Sequence, residues 1–96
     1  SLDRDGRRPS APAEIPELTV SPSEVTAKAV GDVFVFTAAG GQPPYTWKVA
    51  NSTYGTITVD NGNPCTYTVV QLKKNSVWVK DSRGRVATVT IGCETP

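Results

Sequence analysis

Val33-Phe34-Val35-Phe36-Thr37-Ala38, the connection Gly40-Gly41-Gln42-Pro43-Pro44, and then Tyr45-Thr46-Trp47-Lys48-Val49-Ala50 decide the fold of this chain. Side chains in a strand point alternately to its two faces. Phe34 and Phe36 therefore share one side of the first run, with Val33 and Val35 on the other. Tyr45, Trp47 and Val49 share one side of the second, opposite Thr46 and Lys48. Two glycines let the backbone bend between the runs, and two prolines remove amide donors and fix the entry into the second. The pattern predicts two β-strands, B and C, each with a bulky apolar face to bury.

Working outward, further short runs rich in Val, Thr, Tyr and Ile recur at spacings of roughly ten residues, with turn chemistry between them. Strand A is expected near Leu18 to Val20, continuing as Val25 to Val30 after Ser21-Pro22-Ser23, where proline marks an edge or a crossing between sheets. Strands D (Thr56 to Asp60) and E (Thr66 to Val70) are joined through Asn61-Gly62, a dipeptide suited to tight hairpins. Strands F (Ser76 to Lys80) and G (Arg85 to Ile91) flank the turn Asp81-Ser82-Arg83-Gly84. An antiparallel sheet with one apolar face must cover it, so about seven such strands predict an all-β, immunoglobulin-like sandwich over residues 18–96. Its core is expected to hold Phe34, Phe36, Tyr45, Trp47, Val49, Ile57, Val59, Tyr67, Val69, Val77, Val79, Ala87, Val89 and Ile91. Residues 1–17, with three prolines, mixed charges and little apolar bulk, read as an extended arm.

Ninety-six residues suit one domain. A formal charge of +1 with scattered basic residues lacks the footprint that a phosphate backbone requires, so nucleic acid is excluded as a partner. No run approaches the ~20 apolar residues of a membrane helix, so no membrane span is expected. With no methionine, the chain is expected to be either a processed product or a trimmed piece of a longer protein, so its original targeting signal is not visible in it.

Leu18-Thr19-Val20-Ser21-Pro22, Val30-Gly31-Asp32 through Phe36-Thr37, Gly40-Gly41-Gln42-Pro43-Pro44-Tyr45-Thr46-Trp47, Thr66-Tyr67-Thr68, and Val77, Val79, Asp81, Ser82 and Gly84 follow one another in an order that resembles bacterial Ig-like repeat domains of secreted and cell-surface proteins. The resemblance covers roughly residues 18–91. It implies a spacer, stalk or interaction module outside the cytoplasm (secreted, periplasmic or at the surface, in some cases lipid-anchored), with no cofactor and no catalytic residue. The two cysteines depart from the usual pattern.

The residues agree on the absence of catalysis: without histidine there is no histidine-based triad, proton relay or imidazole metal site. Asp32, Asp60 and Asp81 stand beside turns, where a carboxylate accepting local amide hydrogens is the expected role; no metal site is expected. Cys65 and Cys93 leave alternatives open. An even count in an exported chain favours an internal bridge. Yet if strands reverse direction from C to G, Cys65 precedes E and Cys93 follows G, about six residues apart at ~3.3 Å each, against the ~7 Å that a disulfide spans. Reduced thiols, or a head-to-tail bridge between chains, are the other readings.

Trp78 is expected to point outward from the sheet of C, F and G, among Thr46, Lys48, Lys80, Val86, Thr88 and Thr90. Val33 and Val35 point outward from the other sheet, near Thr66, Thr68 and Val70. Two outer faces this apolar suggest contact with other protein chains, self-association included. The alternative is a small carbohydrate-binding module that stacks a sugar on Trp78, with Tyr54 as a second aromatic.

Overall fold

The computed structural model describes residues 15–58 and 62–94. Its strands are β1 (Thr19–Ser21), β2 (Glu24–Ala27), β3 (Val33–Ala39), β4 (Thr46–Val49), β5 (Gly55–Ile57), β6 (Cys65–Val69), β7 (Asn75–Lys80) and β8 (Val86–Cys93). They form two four-stranded sheets, β1-β3-β6-β5 and β2-β8-β7-β4. With β1 and β2 counted as the two halves of strand A, the order is A-B-E-D facing A-G-F-C, the arrangement of an immunoglobulin-like sandwich. The expected core residues among those described face inward, where Phe36, Trp47, Tyr67, Val77, Val79, Val89 and Ile91 are buried. Val59, Asp60 and Asn61, expected in strand D and its hairpin, lie outside the described residues, as does the arm over residues 1–14.

The split of strand A follows from Pro22, which follows a cis bond between the two halves. β1 pairs antiparallel with β3, and β2 crosses over to pair with β8. That second pairing is parallel, so the sandwich is not antiparallel throughout. Strand A also stops at Ala27, short of the expected Val30. The Asp32 carboxylate accepts hydrogen bonds from the amides of Lys28 and Ala29 at 2.9 and 3.0 Å, turning them out of the ladder.

Two side chains extend or pin this framework. Asn63 donates to the Ala38 carbonyl at 2.8 Å and accepts from the Ala38 amide at 2.9 Å, imitating a ladder pair just beyond Phe36 opposite Cys65. Trp47 gives its indole hydrogen to the Gly62 carbonyl at 2.7 Å, so the buried ring leaves no polar atom unmet. The β3–β4 connection is closed against the chain that enters β1. Gly40 has φ +70°, and a Cβ there would collide with the Glu17 carbonyl, while the Gly41 amide donates to Pro16 at 2.7 Å. Only glycine meets both the left-handed backbone and the close approach at Gly40.

Candidate interaction surfaces

Cross-strand register assembles the first outer face. Lys48, Trp78 and Thr88 form one row across β4, β7 and β8, and Thr46, Lys80 and Val86 form the next. Trp78 is half-buried, while Lys48, Lys80, Val86 and Thr88 are exposed. Five of the residues singled out in the sequence thus meet on one surface, with Lys48 directly across from Trp78 and Lys80 in the next row.

The other two, Val33 and Val35, lie on the opposite face, 56% and 52% exposed. Val33 stands beside Thr68 and then Thr56; Val35 stands beside Thr66, whose carbonyl accepts the Thr58 amide. Ser21 beside Thr37 and Thr19 beside Ala39 continue the surface, and Val70, 43% exposed, lies just past β6. No residue in these rows carries a charge. The seven residues therefore belong to two surfaces separated by the thickness of the sandwich, and a single ligand cannot touch both.

A third feature is a groove of about 660 Å³ across one end of the β2-β8-β7-β4 sheet, lined by Glu24, Asn51, Tyr54, Lys74, Ser76 and Thr90, among others. Glu24 pairs with Thr90, Thr90 with Ser76, and the Ala50 amide donates to the Ser76 carbonyl at 2.8 Å, so the groove crosses β2, β8 and β7 and reaches the residue that follows β4. Beneath it, the buried Asn75 holds the wall in place. It donates to the Asn51 carbonyl at 2.9 Å and to the Tyr67 hydroxyl at 3.0 Å, and accepts from the Asn51 amide at 3.1 Å. The Tyr54 carbonyl accepts from Val70 and Gln71, fixing that residue against the β6–β7 turn. Of the polar groove residues the sequence singles out Tyr54, as an aromatic, and Thr90, as an outward neighbour of Trp78. The rest become neighbours through sheet pairing alone.

Asp81, fully covered by its surroundings, is the most heavily hydrogen-bonded carboxylate among the described residues. It accepts from the amides of Gln42, Arg83 and Arg85 at 3.0, 3.0 and 2.8 Å, and from Arg85 Nε at 3.1 Å. Burial alone would push this carboxyl up, but the amide donors of Arg85, Gln42 and Arg83, with the Arg85 guanidinium, outweigh it and hold the group below the usual aspartate value of 3.8. Its role is to tie the β7–β8 turn to the β3–β4 connection. Asp32 serves a turn in the same way, and Asp60 lies outside the described residues. Among the described residues no cluster of three or more acidic, cysteine or histidine side chains could hold a metal ion. No described helix is long and apolar enough to cross a membrane.

The cysteines occupy strand ends. Cys65 is the first residue of β6, opposite Phe36, and is buried; Cys93 is the last of β8, opposite Ala27, and is half-buried. β6 and β8 run in the same direction, since β1 is antiparallel to β3 and β3 to β6, while β2 continues β1 and parallels β8. The two sulfurs therefore belong to opposite ends of the sandwich. A bridge from Cys65 to another chain would have to open the core around it.

No family model and no curated protein matches the chain. Among solved structures, it superposes on part of a Bacteroides ovatus GH5 xyloglucanase, crystallised with a XXXG heptasaccharide, with a TM-score of 0.67 and 14% identity over 83% of this chain and 19% of that one. It superposes on a C-terminal 282-residue fragment of intimin, in complex with the intimin-binding domain of its translocated receptor, with a TM-score of 0.61 and 21% identity over 79% of this chain and 30% of that one. A third match, the BIgI domain of the S. agalactiae beta protein bound to CEACAM1, has 20% identity over 83% of this chain and 97% of that one, but at a TM-score of 0.40 it is too distant in shape to bear on the fold. This chain thus spans less than a third of the xyloglucanase and of the intimin fragment. At these identities the likeness is one of fold, and together with the strand order it makes the chain an immunoglobulin-like β-sandwich.

Proposed function

We propose that the chain is a non-catalytic interaction module of an extracytoplasmic bacterial protein, and that it meets a second copy of itself through the outer face of β3 and β6. The observation that supports this reading is the absence of any charge across the rows of Val33, Val35, Thr66, Thr68, Thr56 and Thr58, with both valines more than half exposed. A contiguous uncharged patch with exposed apolar side chains ordinarily marks a contact site. A face without charge cannot repel its own image, which is what a two-fold contact between copies requires. Roughly 10 Å separates the outer strand axes of this patch, so the contact is at the small end of specific interfaces and correspondingly weak. Use within a larger protein is consistent with the intimin fragment, which has a similarly folded part and is itself bound to a protein partner.

Sedimentation of the isolated chain at rising concentration tests the reading. Wild type is expected to associate, Val35→Lys to remain monomeric, and Trp78→Ala, on the opposite face, to behave as wild type. A strict monomer at about 1 mM, or association indifferent to Val35→Lys, would refute it.

A further inference from the structure

We infer that the groove across the end of the β2-β8-β7-β4 sheet binds a neutral, extended oligosaccharide, a site distinct in place and chemistry from the Val33–Val35 face. Three features point to this ligand class.

The first is hydrogen-bonding capacity. Among the described residues, the Ser76 and Thr90 hydroxyls, the Glu24 carboxylate, the Lys74 ammonium and the Tyr54 hydroxyl are engaged by no other side chain, yet all line one concavity. Hydroxyls both donate and accept, the carboxylate accepts, and the ammonium donates. A polyol, whose every hydroxyl also does both, can satisfy this mixture.

The second is charge. One carboxylate and one ammonium cancel, so the groove offers an anionic polymer no net attraction and a cationic one none either. A neutral ligand loses nothing by entering it.

The third is shape. The line from Glu24 through Thr90 and Ser76 to Ala50 crosses three strand spacings, roughly 14 Å. Sugar residues in an extended β-1,4-linked chain repeat at nearly the strand spacing, so about three would lie along the line. The volume of about 660 Å³ falls within the range of small-ligand sites. At the Asn51 end, the half-buried Tyr54 ring gives the apolar face of one sugar a surface to stack on, and the hydrogen bonds to the Tyr54 carbonyl hold that residue before any ligand arrives. Preorganisation of this kind lowers the ordering cost of binding.

Amide NMR of the full, isotopically labelled chain tests the inference, with β-1,4-linked gluco-, xylo- and mannotetraose as probes. At least one is expected to shift the amides of Asn51, Tyr54, Ser76 and Thr90 saturably, with Kd on the order of 1 mM. Tyr54→Ala and the near-isosteric Thr90→Val should each weaken that binding about tenfold. Thr90→Val leaves a β-branched residue in β8, so a change in affinity there does not reflect unfolding. The inference is overturned if none of the probes shifts these amides by about 20 mM, if the shifts gather instead around Trp78 or Val35, or if Thr90→Val binds as wild type does.

Discussion

Replacing Asn75 with alanine should cost more stability than replacing any other polar residue that lines the groove. The side chain is buried and makes three contacts with groups distant in sequence: to the Asn51 carbonyl, from the Asn51 amide, and to the Tyr67 hydroxyl, itself in the core. Alanine leaves all three partners facing a void. A lost bond that strands a buried partner costs about 1 kcal/mol or more, which sums to about 3 kcal/mol; water reaching the half-buried Asn51 brings this to about 2. At about 4–8 °C per kcal/mol for a domain this small, the melting temperature should fall by roughly 8–16 °C. Thermal unfolding followed by far-ultraviolet circular dichroism measures it. Tyr67→Phe, which removes one of the three partners, should cost about 1 kcal/mol alone and less in the Asn75→Ala background, because the bond it removes is already gone. A fall under about 3 °C for Asn75→Ala, or full additivity of the pair, would show that the amide is not the link between β7, Tyr67 and the β4–β5 loop.

Other substitutions probe separate parts of the fold. Gly55→Ala should destabilise by about 2 kcal/mol or more, since a Cβ there would overlap the Tyr67 ring and hydroxyl, and a ring held in the core has nowhere to move; denaturant unfolding reads this, and a neutral effect would mean the ring is not fixed over Gly55. Asp81 contributes stability that is complete above the usual aspartate value of 3.8 and is lost as pH falls through its depressed folded value; Asp81→Asn should therefore be less stable at neutral pH and should flatten the dependence of stability on pH below 3.8, whereas an acid limb equal to that of wild type would remove Asp81 as its source. A thiol-alkylating reagent should modify Cys93 in the native chain and reach Cys65 only on unfolding, as peptide mass analysis would show; a chain in which neither reacts until it is reduced would mean a Cys65–Cys93 bridge and wrong strand directions.

The strand map and the core were legible because alternation is written residue by residue: Phe34 and Phe36, Tyr67 and Val69, and Val77 and Val79 announce an inward face, and Pro22 announces the crossing of strand A. Where that strand ends was not legible. The Asp32 carboxylate that turns Lys28 and Ala29 away acts three and four residues back, and no apolar pattern records it. Nor did the sequence reveal the links that unite distant segments, such as Asn63 with Ala38 or Asp81 with Gln42, because side-chain amides and carboxylates look alike whether solvated or buried. The outer faces and their separation into two surfaces were readable from the strand map, but which side chains stand in one row needed the register. The groove needed more: Glu24, Ser76 and Thr90 are 52 and 14 residues apart along the chain and adjoin only because β2 crosses to lie beside β8.

That crossing has a consequence for how the module can work. It puts the groove on the outside of one sheet, while Val33 and Val35 lie on the outside of the other, with a core roughly 10 Å thick between sheet planes. Residues this far apart that share no partner act additively unless a rigid element with two arrangements couples them, and Trp47, Phe36 and Tyr67 lie buried between the sheets, where close packing resists rearrangement. Self-association measured in saturating tetrasaccharide should therefore match that measured without it, and Val35→Lys should leave the groove's affinity unchanged within about twofold. A ligand at the groove that altered association at the Val33–Val35 face would mean that the two sheets shift against one another and that the core between them is not one rigid layer.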